Sequence, residues 1–140
     1  GSVVVITAGQ GGTGTAGIQI AKALGALTVL TSARSDVAPL LHSLGADRVI
    51  DYRSSNLLDL LEKDSVDLFI DNYGYDPDRS LSCVRTGGAY VSIVGGVPRE
   101  AKVGVKTVKL GTSNADPNDL DAIGRMLMAG RLRPVVQASY

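Results

Sequence analysis

The residues best suited to chemistry stand at the start of the chain. They are Gly9, Gly11, Gly12, Thr13 and Gly14, within Thr7-Ala8-Gly9-Gln10-Gly11-Gly12-Thr13-Gly14. Gly-x-Gly-x-x-Gly spacing suits a backbone that must turn sharply and come close to a diphosphate. The first glycine permits the turn, the second lets the main chain approach the pyrophosphate, and the third lets a following helix pack closely. Thr13 and Thr15 add hydroxyls that could bond a phosphate, and Thr13 could equally cap the helix. Other reactive side chains are scarce. Cys83 and His42 are the single thiol and the single imidazole, which excludes an internal disulfide and a Cys/His zinc triad. Each sits among leucines or valines and reads as a packing or surface residue. No Gly-Lys-Ser/Thr follows the glycines, so the P-loop reading fails, and the lack of a Tyr-x-x-x-Lys argues against a complete short-chain reductase.

The glycine pattern has meaning only if a strand leads into it and a helix leads out. Val3-Val4-Val5-Ile6 is an apolar, β-branched run of the kind buried on both faces of a sheet. Ala16, Ile18, Ile20, Ala21 and Leu24 then keep a helical rhythm up to Gly25. The start of that helix offers unpaired N–H groups and a positive dipole end to phosphates. Further strands are predicted over 27–32, 48–51, 66–71, 89–94 and 106–110, with an extended piece over 132–137. Helices are predicted from Ser35 or Asp36 (as N-cap) to Gly45, over 56–63, from Asp76 to about Val84, and from Asp116 to Gly130. Strands alternating with helices give an α/β doubly wound parallel sheet, the Rossmann dinucleotide-binding fold, as one domain over residues 1–140. The stretch Gly95–Val105 is short for a parallel crossover, which usually takes a dozen or more residues, and this puts the sixth strand's pairing in doubt.

In such a sheet the ligand lies beyond the carboxyl ends of the strands, where strand order reverses. That gathers Gly9–Gly14, Thr31–Arg34, Asp51–Arg53, Asp71–Gly74 and Val94–Gly96 around one crevice. An NAD site carries Asp or Glu at the end of the second strand. This chain has Thr31-Ser32-Ala33-Arg34-Ser35 there. The small Ser32 and the guanidinium of Arg34 suit a 2′-phosphate, which a carboxylate would repel. The expected cofactor is NADP(H) in preference to NAD(H).

Bulk properties narrow the partners. The formal net charge is +0, with one Phe and no Trp. Neither electrostatic capture of nucleic acid nor base stacking on a platform is expected. No apolar run has membrane-spanning length, so no membrane partner is expected. A cytoplasmic location is expected, with an organelle left open because targeting segments are removed on import.

With these residues in view, the chain resembles the cofactor domain of the medium-chain dehydrogenases/reductases, and within them the zinc-independent quinone oxidoreductases and enoyl reductases. Gly11-Gly12-Thr13-Gly14-Thr15-Ala16-Gly17-Ile18-Gln19-Ile20-Ala21-Lys22-Ala23-Leu24-Gly25-Ala26 is similar to that family's GGVGxxxIQxAKxxGA. Leu44-Gly45-Ala46-Asp47-Arg48-Val49-Ile50-Asp51-Tyr52 is similar to its LGAxxVIDY. Val66-Asp67 with Asp71-x-x-Gly74, Gly87–Gly95 and Gly130–Val136 follow in the family's order. The resemblance implies that Tyr52 lies beside the adenosine ribose phosphate. It places Asn72, Tyr73 and Gly74, with Val94 and Gly95, toward the nicotinamide, where Tyr73 is bulkier than the family's usual small residue. It implies hydride transfer from NADPH to a quinone or activated alkene, without zinc. It also implies that the family's GroES-like substrate domain is absent from these 140 residues, so that the chain alone would bind cofactor and catalyse little. The uncovered domain face or an edge strand would then favour a homodimer. The alternative is a non-catalytic module that senses NAD(P) or serves as a structural Rossmann unit.

Overall fold

The computed structural model describes residues 1–94, 96–111 and 116–136. In chain order the elements are β1 (Val3–Ile6), α1 (Gly12–Ala23), β2 (Thr28–Ala33), α2 (Ala38–Ser43), β3 (Arg48–Asp51), β4 (Val66–Asp71), α3 (Pro77–Cys83), β5 (Val84–Ser92), β6 (Lys106–Lys109) and α4 (Pro117–Met128). The strands form one sheet in the order β3-β2-β1-β4-β5-β6. Every neighbouring pair is parallel. Strand order reverses between β1 and β4, so the carboxyl ends of those two strands frame the crevice.

Alternation along β1 divides the core. Val4 and Ile6 face one side, with Ile18 of α1, Val29, and Leu41 and Leu44 at α2. Val5 faces the other, with Leu30, Ile50, Phe69, Leu81, Val84 and Tyr90. Side chains on a strand point to opposite faces in turn, so a run of β-branched residues fills both layers at once.

The predicted elements are present, with local corrections. The segment after β2 begins as a 3-10 turn over Ser35–Val37, and Asp36 does not cap it. Asp36 instead holds Arg34 in a two-point ion pair. The leucine-rich stretch forms only a 3-10 turn over Leu57–Leu60, with Asn56 accepting from the Leu58 N–H at 3.0 Å. Asp76 and Asp116 cap α3 and α4 as expected. β5 starts earlier than predicted. Val84 pairs with Val66, the chain bulges, and Ala89 resumes opposite Leu68. Residues 132–136 form no strand; Gln19 tethers them by a two-way amide exchange with Arg133, at 2.8 and 3.0 Å.

The doubtful sixth strand does pair, with Tyr90 opposite Thr107. The described part of its crossover has no helix. Lys102 replaces that support. Its ammonium reaches the carboxylate of Asp64 at 2.6 Å and the carbonyls of Leu81, Ser82 and Val84 at the end of α3. A cation there also suits the helix dipole.

The glycine loop corrects one detail of the motif. The left-handed residue of the turn is Ala8, at φ +53°, and not Gly9. Gly9 is needed for space, because a Cβ there would lie 2.2 Å from Thr31 Oγ1. At Gly14 a Cβ would lie 2.3 Å from the Ala8 carbonyl oxygen and 2.7 Å from Gly9 Cα, so this glycine serves contact within the loop. Packing of the helix onto the strand falls to Gly17, where a Cβ would meet Ile6 at 3.4 Å. At Gly12 a Cβ would meet nothing within 4 Å. Gly14→Ala is therefore expected to lower the unfolding free energy by about 1–3 kcal/mol through overpacking. Gly12→Ala should leave it unchanged or raise it by up to about 1 kcal/mol. Urea unfolding of both variants checks the contrast.

Candidate functional site

Three loops meet above the carboxyl ends of β1, β2 and β4. The first is drawn onto β2: the Gly9 N–H donates to the Ser32 carbonyl at 2.9 Å and the Ala8 N–H to Ser32 Oγ at 3.2 Å. Beneath it the Thr31 hydroxyl donates to the Ile6 carbonyl at 2.5 Å. α1 then begins at Gly12 with Gly11 as a cap that has no side chain to offer. The first N–H groups of a helix have no partner within it, and no side chain caps them here. Gly11, Gly12 and Thr13 are exposed at this end, and Gly9 and Gly14 are buried beneath it. Thr13 is not the cap. Thr15, two residues further on, donates its hydroxyl to the Gly12 carbonyl at 3.1 Å.

The loop after β4 hangs from Asp71, a fully buried carboxylate at the end of that strand. Its Oδ1 accepts from the Thr7 hydroxyl at 2.9 Å, from Tyr73 N–H at 3.0 Å and from Gly74 N–H at 2.9 Å. Thr7 Oγ1 in turn accepts from the Asn72 N–H at 2.8 Å. Gly74 turns the chain at φ +106°, where a side chain would be strained. The Asn72 side chain is directed back into the protein, with Nδ2 donating to the Thr7 carbonyl at 3.1 Å. Val94 lies against Gly74. Gly95 lies outside the described residues.

Between the loops is a cleft of about 300 Å³ lined by Ala8, Gln10, Ser32, Tyr52, Tyr73 and Tyr75, together with Ser55 and Asn56. Ser32 and Tyr52, both expected, therefore share one cavity. Arg34 does not line it. Arg34 borders a neighbouring groove with Gln10 and Arg133, so Gln10 divides the two spaces. Its side-chain oxygen accepts from the Arg34 N–H at 3.0 Å.

The charges beside the cleft come in pairs. Arg34 is bound by Asp36 at 2.7 Å and Arg53 by Asp51 at 2.8 Å. Asp51 also accepts from the Ser35 N–H at 3.0 Å, and Arg53 donates to Ser35 Oγ at 3.1 Å. The Arg53 side chain, then its backbone N–H, hold the Asp51 carboxyl well below the usual carboxylate range. Thr7 and Tyr75 were missed from the sequence, and Gln10 and Arg53 were placed at the crevice only as members of the stretches Gly9–Gly14 and Asp51–Arg53.

Comparison with known proteins places this geometry. A family model described as zinc-binding dehydrogenase matches residues 44–140. The chain belongs to that family, within the medium-chain dehydrogenases/reductases. It is 33% identical over 159 residues to the trans-enoyl reductase pgmF of Aspergillus terreus, covering 100% of this chain and 44% of that protein. It is 34% identical over 137 residues to a chloroplastic NADPH-dependent alkenal/one oxidoreductase of Arabidopsis thaliana, covering 97% of this chain and 33% of that one. Among solved structures, the quinone oxidoreductase of Coxiella burnetii superposes with a TM-score of 0.79 at 27% identity, over 98% of this chain and 44% of that chain. The chain thus spans less than half the length of these relatives. Despite the family's description, no group of three or more His, Cys, Asp or Glu side chains among the described residues could hold a metal ion. Among the same residues no helix is long and apolar enough to cross a membrane.

The Asp51 cluster makes its own pH prediction. A carboxylate whose folded pKa is depressed stabilises the fold above its ordinary pKa, and loses that effect as pH falls through the folded value. The stability gap between the parent chain and Asp51→Asn should therefore be constant above about pH 5 and shrink below about pH 4. Thermal unfolding of both proteins across that range measures it.

Proposed function

We propose that this chain is the NADP(H)-binding domain of a quinone-oxidoreductase-like reductase, in which hydride passes from NADPH to a quinone or activated alkene. One observation carries the reading. The loop is sterically closed at Gly9 and Gly14, yet exposed at Gly11 and Gly12 where an α-helix begins without a side-chain cap. That combination suits a diphosphate, which needs close backbone approach and free N–H donors. The relative described as an NADPH-dependent alkenal/one oxidoreductase supports the choice of cofactor class.

In this reading Gly11, Gly12 and Thr13 bind the pyrophosphate with backbone N–H groups and a threonine hydroxyl. Ser32 and Tyr52 border the adenosine half, and Arg34 takes the 2′-phosphate. The backbone of Asn72 and Gly74 borders the crevice, and Val94 and Gly95 orient the nicotinamide. When bound, the dinucleotide supplies the hydride, and the chain supplies its orientation. The substrate-contacting half of such an enzyme belongs to a domain outside these 140 residues, so the isolated chain binds cofactor and turns over little.

Arg34 must exchange Asp36 for phosphate. A phosphate takes the same two-point bond from a guanidinium as a carboxylate does, and carries more charge. Calorimetric titration should therefore show NADPH binding more tightly than NADH. Arg34→Ala should abolish the difference, and Asp36→Asn should widen it by up to about five-fold, since freeing a guanidinium from an exposed pair is worth up to about 1 kcal/mol. Equal affinity for both cofactors in all three proteins would remove Arg34 from the site.

A further inference from the structure

The Asn72–Tyr75 loop holds an aromatic side chain in the open. Tyr73 is 71% exposed, although it lines the cleft with Tyr52 and Tyr75. A large exposed ring is ordinary when it stands alone on a mobile loop, and informative when it is held in place. Tyr73 is held in two ways. Its backbone N–H donates to the buried carboxylate of Asp71, and so does that of Gly74. Its ring stands 5.6 Å from that of Tyr75, tilted by 57°, within the range of favourable aromatic pairs. Tyr75 in turn packs against the buried cluster of Phe69, Leu81 and Tyr90. The core thus braces Tyr75, and Tyr75 braces Tyr73. The cleft they border opens between the ends of β2 and β4, beside Ser32 and Tyr52, which is the half of the crevice assigned above to adenosine.

We propose that Tyr73, braced by Tyr75, is a stacking platform for the purine ring of the bound nucleotide, and so acts at the adenosine end of the site rather than at the nicotinamide. The inference rests on the dinucleotide reading and assigns it a recognition residue. An aromatic face accepts any planar base, and truncating such a platform typically weakens binding by about ten-fold. Ordering the ring before binding limits the entropy lost when the base arrives.

The test uses the whole chain and three ligands: NADPH, adenosine 2′,5′-bisphosphate and nicotinamide mononucleotide. With no Trp in the sequence, tyrosine emission reports the cleft directly, and calorimetry gives the affinities. The expected result is that NADPH and the bisphosphate quench tyrosine emission and the mononucleotide does not. Tyr73→Ala should weaken NADPH and the bisphosphate by about the same factor of ten, with an unchanged melting temperature, while Tyr73→Phe should restore both. If the parent chain binds NADPH and Tyr73→Ala binds both ligands as tightly, the platform is disproved and the dinucleotide reading stands. If Tyr73→Ala weakens NADPH but not the bisphosphate, Tyr73 acts at the nicotinamide end and the inference is overturned. If the parent chain binds none of the three ligands, the reading and the inference fail together.

Discussion

One buried hydrogen bond, from the Thr7 hydroxyl to the Asp71 carboxylate at 2.9 Å, ties together the two strands between which the sheet reverses. The rest of the site depends on it. Thr7 ends the strand that leads into the glycine loop, and Asp71 ends the strand that leads into the tyrosine loop. The same two side chains accept the N–H groups of Asn72, Tyr73 and Gly74, so the mouth of the crevice is set by groups inside the protein. The arrangement has a cost. Asp71 Oδ2, Asn72 Oδ1, Tyr90 OH and Ser92 Oγ are buried there with no hydrogen-bond partner among the described residues, and polar atoms of that kind are costly to bury. Burial, and then the charge of Asp71, push the Tyr90 phenol up to about 12. A sheet built for stability alone would place apolar side chains at these positions. This one keeps a charged residue where the loops need an acceptor.

The sheet itself was legible in the sequence because its signals are redundant. Val3–Ile6 and Val66–Asp71 are apolar runs bounded by turns, and the observed strands coincide with them. Capping chemistry was equally readable: Asp76-Pro77 and Asp116-Pro117 start helices as their residue types require. What misled was local competition. Leucine content suggested a helix over 56–63, but the Asn56 side chain takes the Leu58 N–H and the segment turns tightly at once. Tertiary burial of Leu57 and Leu58 holds it as a single 3-10 turn instead. Asp36 had the residue type of an N-cap, and a guanidinium two residues away captured it. The sixth strand shows the reverse case. Its crossover was too short for a helix, yet it pairs because the long side chain of Lys102 reaches what a helix would have covered.

The site was legible in its backbone and only partly in its side chains. Glycine spacing signals close approach, and Gly9 and Gly14 are the positions where a Cβ would collide. Side-chain roles depend on which loop folds over which, and a linear pattern does not encode that. Ser32 and Arg34 are two residues apart, so on a strand they share a face; the turn after Ala33 nonetheless sends them to different cavities. Tyr73 and Tyr75 flank a glycine and look like loop residues. Their value comes from Asp71 beneath them and from the core behind Tyr75.

The charges beside the cleft complete the argument about selectivity. Each arginine there already holds a carboxylate, Arg34 with Asp36 and Arg53 with Asp51. A ligand anion therefore competes with an existing partner and does not fall into a bare positive field. Exposed pairs of this kind are individually weak, so Asp36 can be displaced, whereas Asp51 is fixed by additional bonds from Ser35 and the Arg53 backbone. The two pairs thus differ in kind. Arg53–Asp51 is a strut that fixes the end of β3 against the turn after β2, and Arg34–Asp36 is an exchangeable clasp. A neutral ribose hydroxyl lacks the charge to open that clasp, and a phosphate has it. In the proposed reading Asp36 therefore tempers the selectivity that Arg34 supplies, and what remains is the difference between the phosphate's attraction and that competition.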